Sequence, residues 1–311
     1  ALGAALDAHH NYFDQPTSST GTTRSRQGGS YWGPEFSGDE IQGFLDTHGF
    51  PYRALSRAER AGTAAALLEE GKVVGHFSGR MEFGPRSLGA RSILGDARNQ
   101  DMQVTLNLKI KYRESFRPFA PTVLTEKAGE YFDLDGESPY MLLVAPVREG
   151  RRKLVPREAG NSNLLSIVKQ TRSDIPAVTH VDYSARVQTI RREDHPLYYD
   201  VIESFERRTG YAVVVNTSFN VRGEPVVCTP YDAYRCFMRT EMDVLILGNC
   251  LLMKDEQPEW PETKGHLEKQ DSPLHQTSPD GFMKRLRQIY QQQFVPIALA
   301  LAGKRFSRIS L

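Results

Sequence analysis

Cysteine is scarce in this chain of 311 residues, with only Cys228, Cys236 and Cys250. Their spacing matches neither paired zinc-ligand motifs nor a disulfide framework, so reduced thiols and a cytoplasmic location are expected. Long apolar runs are also missing. The longest, residues 294–303, is too short to cross a bilayer, and no charged-then-apolar leader opens the chain, so no membrane association is expected. An excess of either charge is equally lacking: 39 Lys and Arg face 38 Asp and Glu, for a formal net charge of +1. That near-neutrality, together with the absence of basic repeats interleaved with aromatics, argues against a nucleic-acid-binding module. No Gly-x-x-x-x-Gly-Lys-Ser/Thr occurs, which excludes a P-loop. No Gly-x-Ser-x-Gly elbow with a paired histidine occurs, which excludes Ser218 as a hydrolase nucleophile.

What charge there is, is concentrated. Between residues 79 and 121 lie Arg80, Arg86, Arg91, Arg98, Lys109, Lys111, Arg113 and Arg117, against Glu82, Asp96, Asp101 and Glu114, a local balance of +4. Basic residues on an ordinary helix or strand sit in water and pair loosely with nearby acids. Two details point elsewhere. Arg86 follows Gly84-Pro85, where a tight turn would aim it, and Arg117 sits within Phe116-Arg117-Pro118-Phe119, where aromatic neighbours would hold its stem in apolar surroundings. Guanidinium forks match phosphate or carboxylate oxygens two at a time, so the expected guest is an anion, a phosphorylated small molecule.

With 39% hydrophobic and 25% charged residues, the chain is long enough for one large or two modest globular domains. Ala1-Leu2-Gly3-Ala4-Ala5-Leu6 lacks an initiator Met and reads as a helix already under way, as in a piece of a longer parent. Residues 15–30 are linker-like, so 1–30 is read as the end of an upstream domain plus linker, 31–254 as the main α/β domain, and 255–311 as a polar linker and tail, open to a helical or a loose state. Within 31–254 helix and strand alternate. Ser56 and Glu59 form a capping box before a helix over 61–70, and 73–77 reads as a buried strand. Residues 99–111 read as a helix, 141–147 and 186–190 as strands, 195–208 as a helix closed by Gly210, and 211–215 as a strand running into a polar loop. Pro230 opens a helix to Arg239, and 244–247 is a last strand. Open α/β sheets bind ligands at such strand ends.

Three stretches carry a specific resemblance: Gly79-Arg80-Met81-Glu82-Phe83-Gly84-Pro85-Arg86-Ser87-Leu88-Gly89-Ala90-Arg91-Ser92-Ile93-Leu94, Asn107-Leu108-Lys109-Ile110-Lys111-Tyr112-Arg113-Glu114-Ser115-Phe116-Arg117-Pro118-Phe119-Ala120-Pro121, and Asn216-Thr217-Ser218-Phe219-Asn220-Val221-Arg222-Gly223-Glu224-Pro225. Together they resemble the C-terminal half of the O-carbamoyltransferases that decorate nodulation factors, cephamycins and aminoglycosides such as tobramycin. The resemblance implies a YrdC-like twisted mixed sheet with flanking helices, preceded by a remnant helix of an actin-like ATPase-type domain. It implies that this half makes carbamoyl adenylate from carbamoyl phosphate and ATP, and that the missing N-terminal domain, which binds iron, transfers the carbamoyl group to a hydroxylated small-molecule acceptor. The family's anion-binding residues fall on Arg86, Lys111, Arg117 and Arg186, and its Ser-x-Asn on Ser218 and Asn220. Arg86, Lys111 and Arg117 would carry the electrostatic catalysis. His9 and His10 are not assigned to the iron.

Glu82 is open to two roles, carrying a magnesium ion between nucleotide phosphates or pairing with Arg80 and Arg86. His180, two residues before Asp182, is open to a loop role or an acid–base role. The runner-up function is a threonylcarbamoyl-adenylate synthase-like tRNA modification enzyme, with an RNA-binding module third.

Overall fold

A computed structural model describes residues 2–16, 27–155 and 170–260. Among the described residues, nine strands form one mixed sheet: β1 (Arg53–Ala54), β2 (Val74–Phe77), β3 (Arg91–Asp96), β4 (Ala120–Leu124), β5 (Leu143–Pro146), β6 (Ser184–Ile190), β7 (Val213–Ser218), β8 (Val244–Leu247) and β9 (Cys250–Met253). Their spatial order is β1-β9-β8-β2-β3-β7-β4-β6-β5. Only β2/β8 and β4/β6 pair in parallel, and the other contacts are antiparallel. The expected α/β fold with a mixed sheet and flanking helices is therefore present.

The helices form where local signals and apolar spacing agree. A short α1 (Leu2–Asp7) opens the described residues. α2 (Gly38–His48) starts at a Ser37/Glu40 capping box and ends on left-handed Gly49. α3 (Arg57–Glu69) starts at the expected Ser56/Glu59 box and buries Ala61, Ala64, Ala65 and Leu68, the face that meets the sheet. Beyond the one-turn α4 (Met102–Thr105) and α5 (Ala128–Tyr131), α6 (Pro196–Thr209) opens on His195 and Pro196 and closes on Gly210, and α7 (Pro230–Arg239) begins at a Thr229/Asp232 box. α3 and α6 pack on one another. The core is apolar: the aliphatic Val74, Leu94, Val123, Val213, Val215 and Ile246 are fully buried along with aromatics such as Phe77, Tyr198 and Phe205.

The expected strands and helices are found, with boundaries shifted by a few residues. Four strands escape the pattern reading: β1, β3, β4 and β9. β3 lies inside the basic glycine-rich segment, where Arg91, Ser92 and Gly95 break the apolar look of a strand buried along its whole length. The expected helix over 99–111 is interrupted. After α4 the chain widens into a π turn (Leu106–Ile110) and then takes a positive φ at Tyr112. The tail beyond residue 260 and residues 156–169 of the basic segment 148–174 lie outside the described residues.

Candidate functional site

One end of the sheet gathers three loops: 78–90 between β2 and β3, 111–119 before β4, and 219–229 after β7. Pairing register decides which side chains share a face there. Ser92 lies opposite Ser218, Ala120 opposite Asn216, and Thr122 opposite Gln188. Side chains alternate along a strand, so Ser92, Asn216, Ser218, Thr122, Gln188 and Arg186 all point to one face. Asn216, Thr122 and Gln188 knit together on it. Asn216 Nδ2 donates to Gln188 Oε1 at 2.8 Å and to Thr122 Oγ1 at 3.1 Å, and Thr122 Oγ1 donates to Gln188 Oε1 at 2.7 Å.

Arg186 lies on this face, and the positive charge of Arg86 reaches it. Arg86 is exposed at the tip of its loop. The Arg186 guanidinium is held below its usual value, first by burial and second by the positive charge of Arg86. Its Nη1 is buried without a hydrogen-bond partner among the described residues. A buried guanidinium nitrogen left unpaired beside a second guanidinium is costly unless an anion shared by the two completes it.

Lys111 reaches the end of β7, where Ser218 and Asn220 lie. The π turn and the strained Tyr112 aim it there, as such irregularities do at functional positions. Its Nζ donates to the Asn220 carbonyl at 2.8 Å, to Asn220 Oδ1 at 2.9 Å and to Ser218 Oγ at 3.3 Å, and it also contacts the Ser218 carbonyl. Only 4% of the residue is exposed, and burial pulls its pKa down to about 7. Ser218 Oγ donates to Asn220 Oδ1 at 2.7 Å, and Asn220 Nδ2 donates to the Glu224 carbonyl at 2.7 Å. Glu224 is in turn paired with buried Arg239 at 3.1 Å. Lys111, Ser218 and Asn220 are thus one braced unit.

Arg117 stands apart from that unit. It is half-exposed, 4.0 Å from Glu114, which also faces Arg222 at 3.7 Å. The expected apolar sheath around Arg117 is not there. Arg113 lies over the Phe119 ring instead, at 4.9 Å, and Phe116 is exposed, because the turn after Lys111 rotates Arg113 inward and Arg117 out.

Glu82 takes neither of its two expected roles. Its Oε1 accepts from the amides of Leu88 at 2.6 Å, Ala90 at 2.7 Å and Arg91 at 3.3 Å, while Arg80 pairs with Glu35 at 3.9 Å. Burial raises its pKa against those bonds. Such a sealed carboxylate does not fit magnesium, which keeps several waters and stands on open oxygens. His180 accepts or shares a proton with Ser184 Oγ at 3.3 Å within its own turn, and burial lowers its pKa. Gln188 was absent from the sequence-derived site, yet it lies two residues beyond Arg186, and period-two alternation alone places both on one face.

Residues 65–254 match the carbamoyltransferase C-terminus family. The chain belongs to that family. Its match covers all of the loops above, including the Gly-Pro-Arg, Phe-Arg-Pro and Asn-Thr-Ser-Phe-Asn stretches, so the resemblance expected from those motifs holds. Among the relatives of this carbamoyltransferase C-terminal chain is an uncharacterized protein of Synechocystis, sll1178. It is 53% identical over 263 residues, 83% of this chain and 42% of that protein. The 3'-hydroxymethylcephem-O-carbamoyltransferase of Amycolatopsis lactamdurans is 34% identical over 224 residues, 72% of this chain and 36% of the enzyme. The chain therefore spans well under half the length of these curated relatives. Among solved structures, full-length HypF in its phosphate- and nucleotide-bound form aligns with a TM-score of 0.39 and 18% identity, over 64% of this chain and 22% of HypF. That similarity is too distant to inform the site. Among the described residues no helix is long and apolar enough to cross a membrane.

Proposed function

We propose that this chain is the carbamoyl-activating part of an O-carbamoyltransferase, forming carbamoyl adenylate from carbamoyl phosphate and ATP. The observation that carries the reading is the Arg86–Arg186 pair, with its unpaired buried nitrogen, at a strand-end site that also holds the Lys111–Ser218–Asn220 unit. Water attacks the phosphorus of carbamoyl phosphate, the P–O bond to the carbamoyl oxygen breaks, and carbamate and phosphate result. A carbamate oxygen then attacks the α-phosphorus of ATP, and pyrophosphate leaves with the electron pair of the broken P–O bond. Every reactant is an anion, so the contribution required of the protein is charge and alignment, with no protein nucleophile.

In this reading Arg86 and Arg186 share the phosphate of carbamoyl phosphate or the leaving pyrophosphate. Lys111 holds the Ser218–Asn220 turn in shape for the nucleotide and, in its protonated form, adds positive potential beside that turn. Arg117, outward and loosely paired, meets ATP phosphates from the solvent side by exchanging Glu114 for them. Enclosure is as necessary as charge, because carbamate released to water decomposes before it can react. Transfer to a hydroxyl of a small-molecule acceptor, and the iron associated with that step, are assigned to the part of the relatives' length that this chain does not cover. Threonylcarbamoyl adenylate chemistry is disfavoured by the Gly-Pro-Arg and Phe-Arg-Pro motifs, and RNA binding by near-neutral charge.

The test is exchange of labelled pyrophosphate into ATP. It is expected to require carbamoyl phosphate and to fall at least about tenfold in Arg86→Ala, the loss of one charged hydrogen bond. Exchange driven by threonine and bicarbonate instead would move the chain to the runner-up chemistry.

A further inference from the structure

The loop that carries Arg86 has an unusual anchorage. Its incoming limb is fixed by ordinary backbone bonds: the Met81 amide donates to the Pro34 carbonyl at 2.9 Å and the Phe83 amide to the Ser30 carbonyl at 2.7 Å. Residues 84–86 are exposed, and no backbone turn hydrogen bond among the described residues closes them. The returning limb is held largely by side chains. Glu82 Oε1 takes the amides of Leu88, Ala90 and Arg91, Tyr31 Oη and Gln188 Nε2 each donate to the Leu88 carbonyl at 2.9 Å, and Asn216 Nδ2 donates to the Ser87 carbonyl at 3.2 Å.

Such a loop has a problem to solve. Without an anion, the charges of Arg86 and Arg186 repel one another, which disfavours holding the exposed tip over the site. Resting on the anion-binding reading above, we infer that Glu82 is the positioning residue of Arg86. Its carboxylate buckles both ends of the loop together beneath the tip, with Tyr31, Gln188 and Asn216 completing the clasp. Charge-assisted bonds from three amides to one carboxylate oxygen are strong enough to hold a limb that makes no turn of its own. The ordering cost of the loop is then met on folding rather than on binding, which is how preorganised sites gain affinity. Glu82 touches no ligand in this arrangement.

The experiment compares the whole chain with its Glu82→Gln, Arg86→Ala and doubly substituted forms, using inorganic pyrophosphate as the probe. Glu82→Gln keeps the shape and loses the charge. Amide exchange in residues 84–88 of the free protein should quicken by about tenfold or more while that of β7 stays unchanged, the mark of a local rather than global opening. Pyrophosphate affinity should fall about tenfold in the wild-type background and no further once Arg86 is alanine, because the two residues act through one interaction. Should Glu82→Gln fold poorly, Tyr31→Phe removes one bond to the Leu88 carbonyl and should give the same pattern at smaller size. Unchanged exchange in the loop, or an equal affinity loss in both backgrounds, would overturn the inference. If Arg86→Ala leaves pyrophosphate affinity intact, the anion-site reading fails, and the exchange measurement alone still decides whether Glu82 holds the loop.

Discussion

A lysine amine sealed among four protein oxygens behaves unlike one in water. Burial disfavours the charge of Lys111 and pulls its pKa down to about 7, against an ordinary value of 10.5. Between those two values the unfolded chain holds a proton that the folded chain does not, so this group makes folding more favourable as pH rises through that window. Lys111→Met removes the effect. The stability of the wild type relative to Lys111→Met, read from urea unfolding between about pH 6 and 10, should therefore increase with pH above about 7. A flat difference would mean that the ammonium persists and that the four oxygens outweigh burial. The residues of this unit were legible in the sequence because Lys111, Ser218 and Asn220 sit in recognisable motifs. The Arg186–Gln188 alternation and the Glu82 clasp were less so, since nothing local in a sequence tells a carboxylate which amides it will meet.

At the scale of elements, the loop leading into β3 is fitted to α6. Gly89 has φ of +119°, and a Cβ there would overlap the Tyr198 ring, while its carbonyl accepts from His76 Nδ1 at 2.6 Å. Gly84, five residues earlier, lies in open space, where a Cβ would meet no heavy atom within 4 Å. Gly89→Ala should thus cost about 3 kcal/mol or more of unfolding free energy, as steric overlap and a left-handed strain combine, while Gly84→Ala should stay within about 0.5 kcal/mol. Urea unfolding of the two variants checks the contrast. Of the strands that sequence reading found, β7 and β8 carry continuous runs of valine, leucine and isoleucine. β3 and β4 were hidden because their residues answer to tertiary partners: Arg91 lies 3.5 Å over the Phe77 ring, and Thr122 turns to Gln188 and Asn216. The π turn before Lys111 was invisible for a related reason, as its sequence has ordinary helix spacing and only the sheet end requires the wider winding.

At the scale of the molecule, the described residues form one mixed sheet with the three motif loops at one end, and the chain covers less than half of its relatives' length. If activation and transfer are divided between this chain and the part it does not cover, the purified chain should release pyrophosphate from ATP when carbamoyl phosphate is present, with AMP following as water hydrolyses the carbamoyl adenylate, yet carbamoylate no hydroxyl acceptor. Mass spectrometry of acceptor mixtures would show this, and acceptor turnover by the chain by itself would place the transfer site within it. Fold class and family were readable at this scale from three motifs far apart in sequence. How the motifs meet was not, because β7 joins them only through its neighbours β3 and β4.

The most direct measurement is a structure of the chain with carbamoyl phosphate and a non-hydrolysable ATP analogue. The account predicts the Arg86 and Arg186 guanidinium groups both within hydrogen-bond distance of oxygens on one phosphorus, with the Arg186 Nη1 no longer unpaired. An anion bound elsewhere, with Arg86 and Arg186 still facing one another across an empty gap, would contradict it.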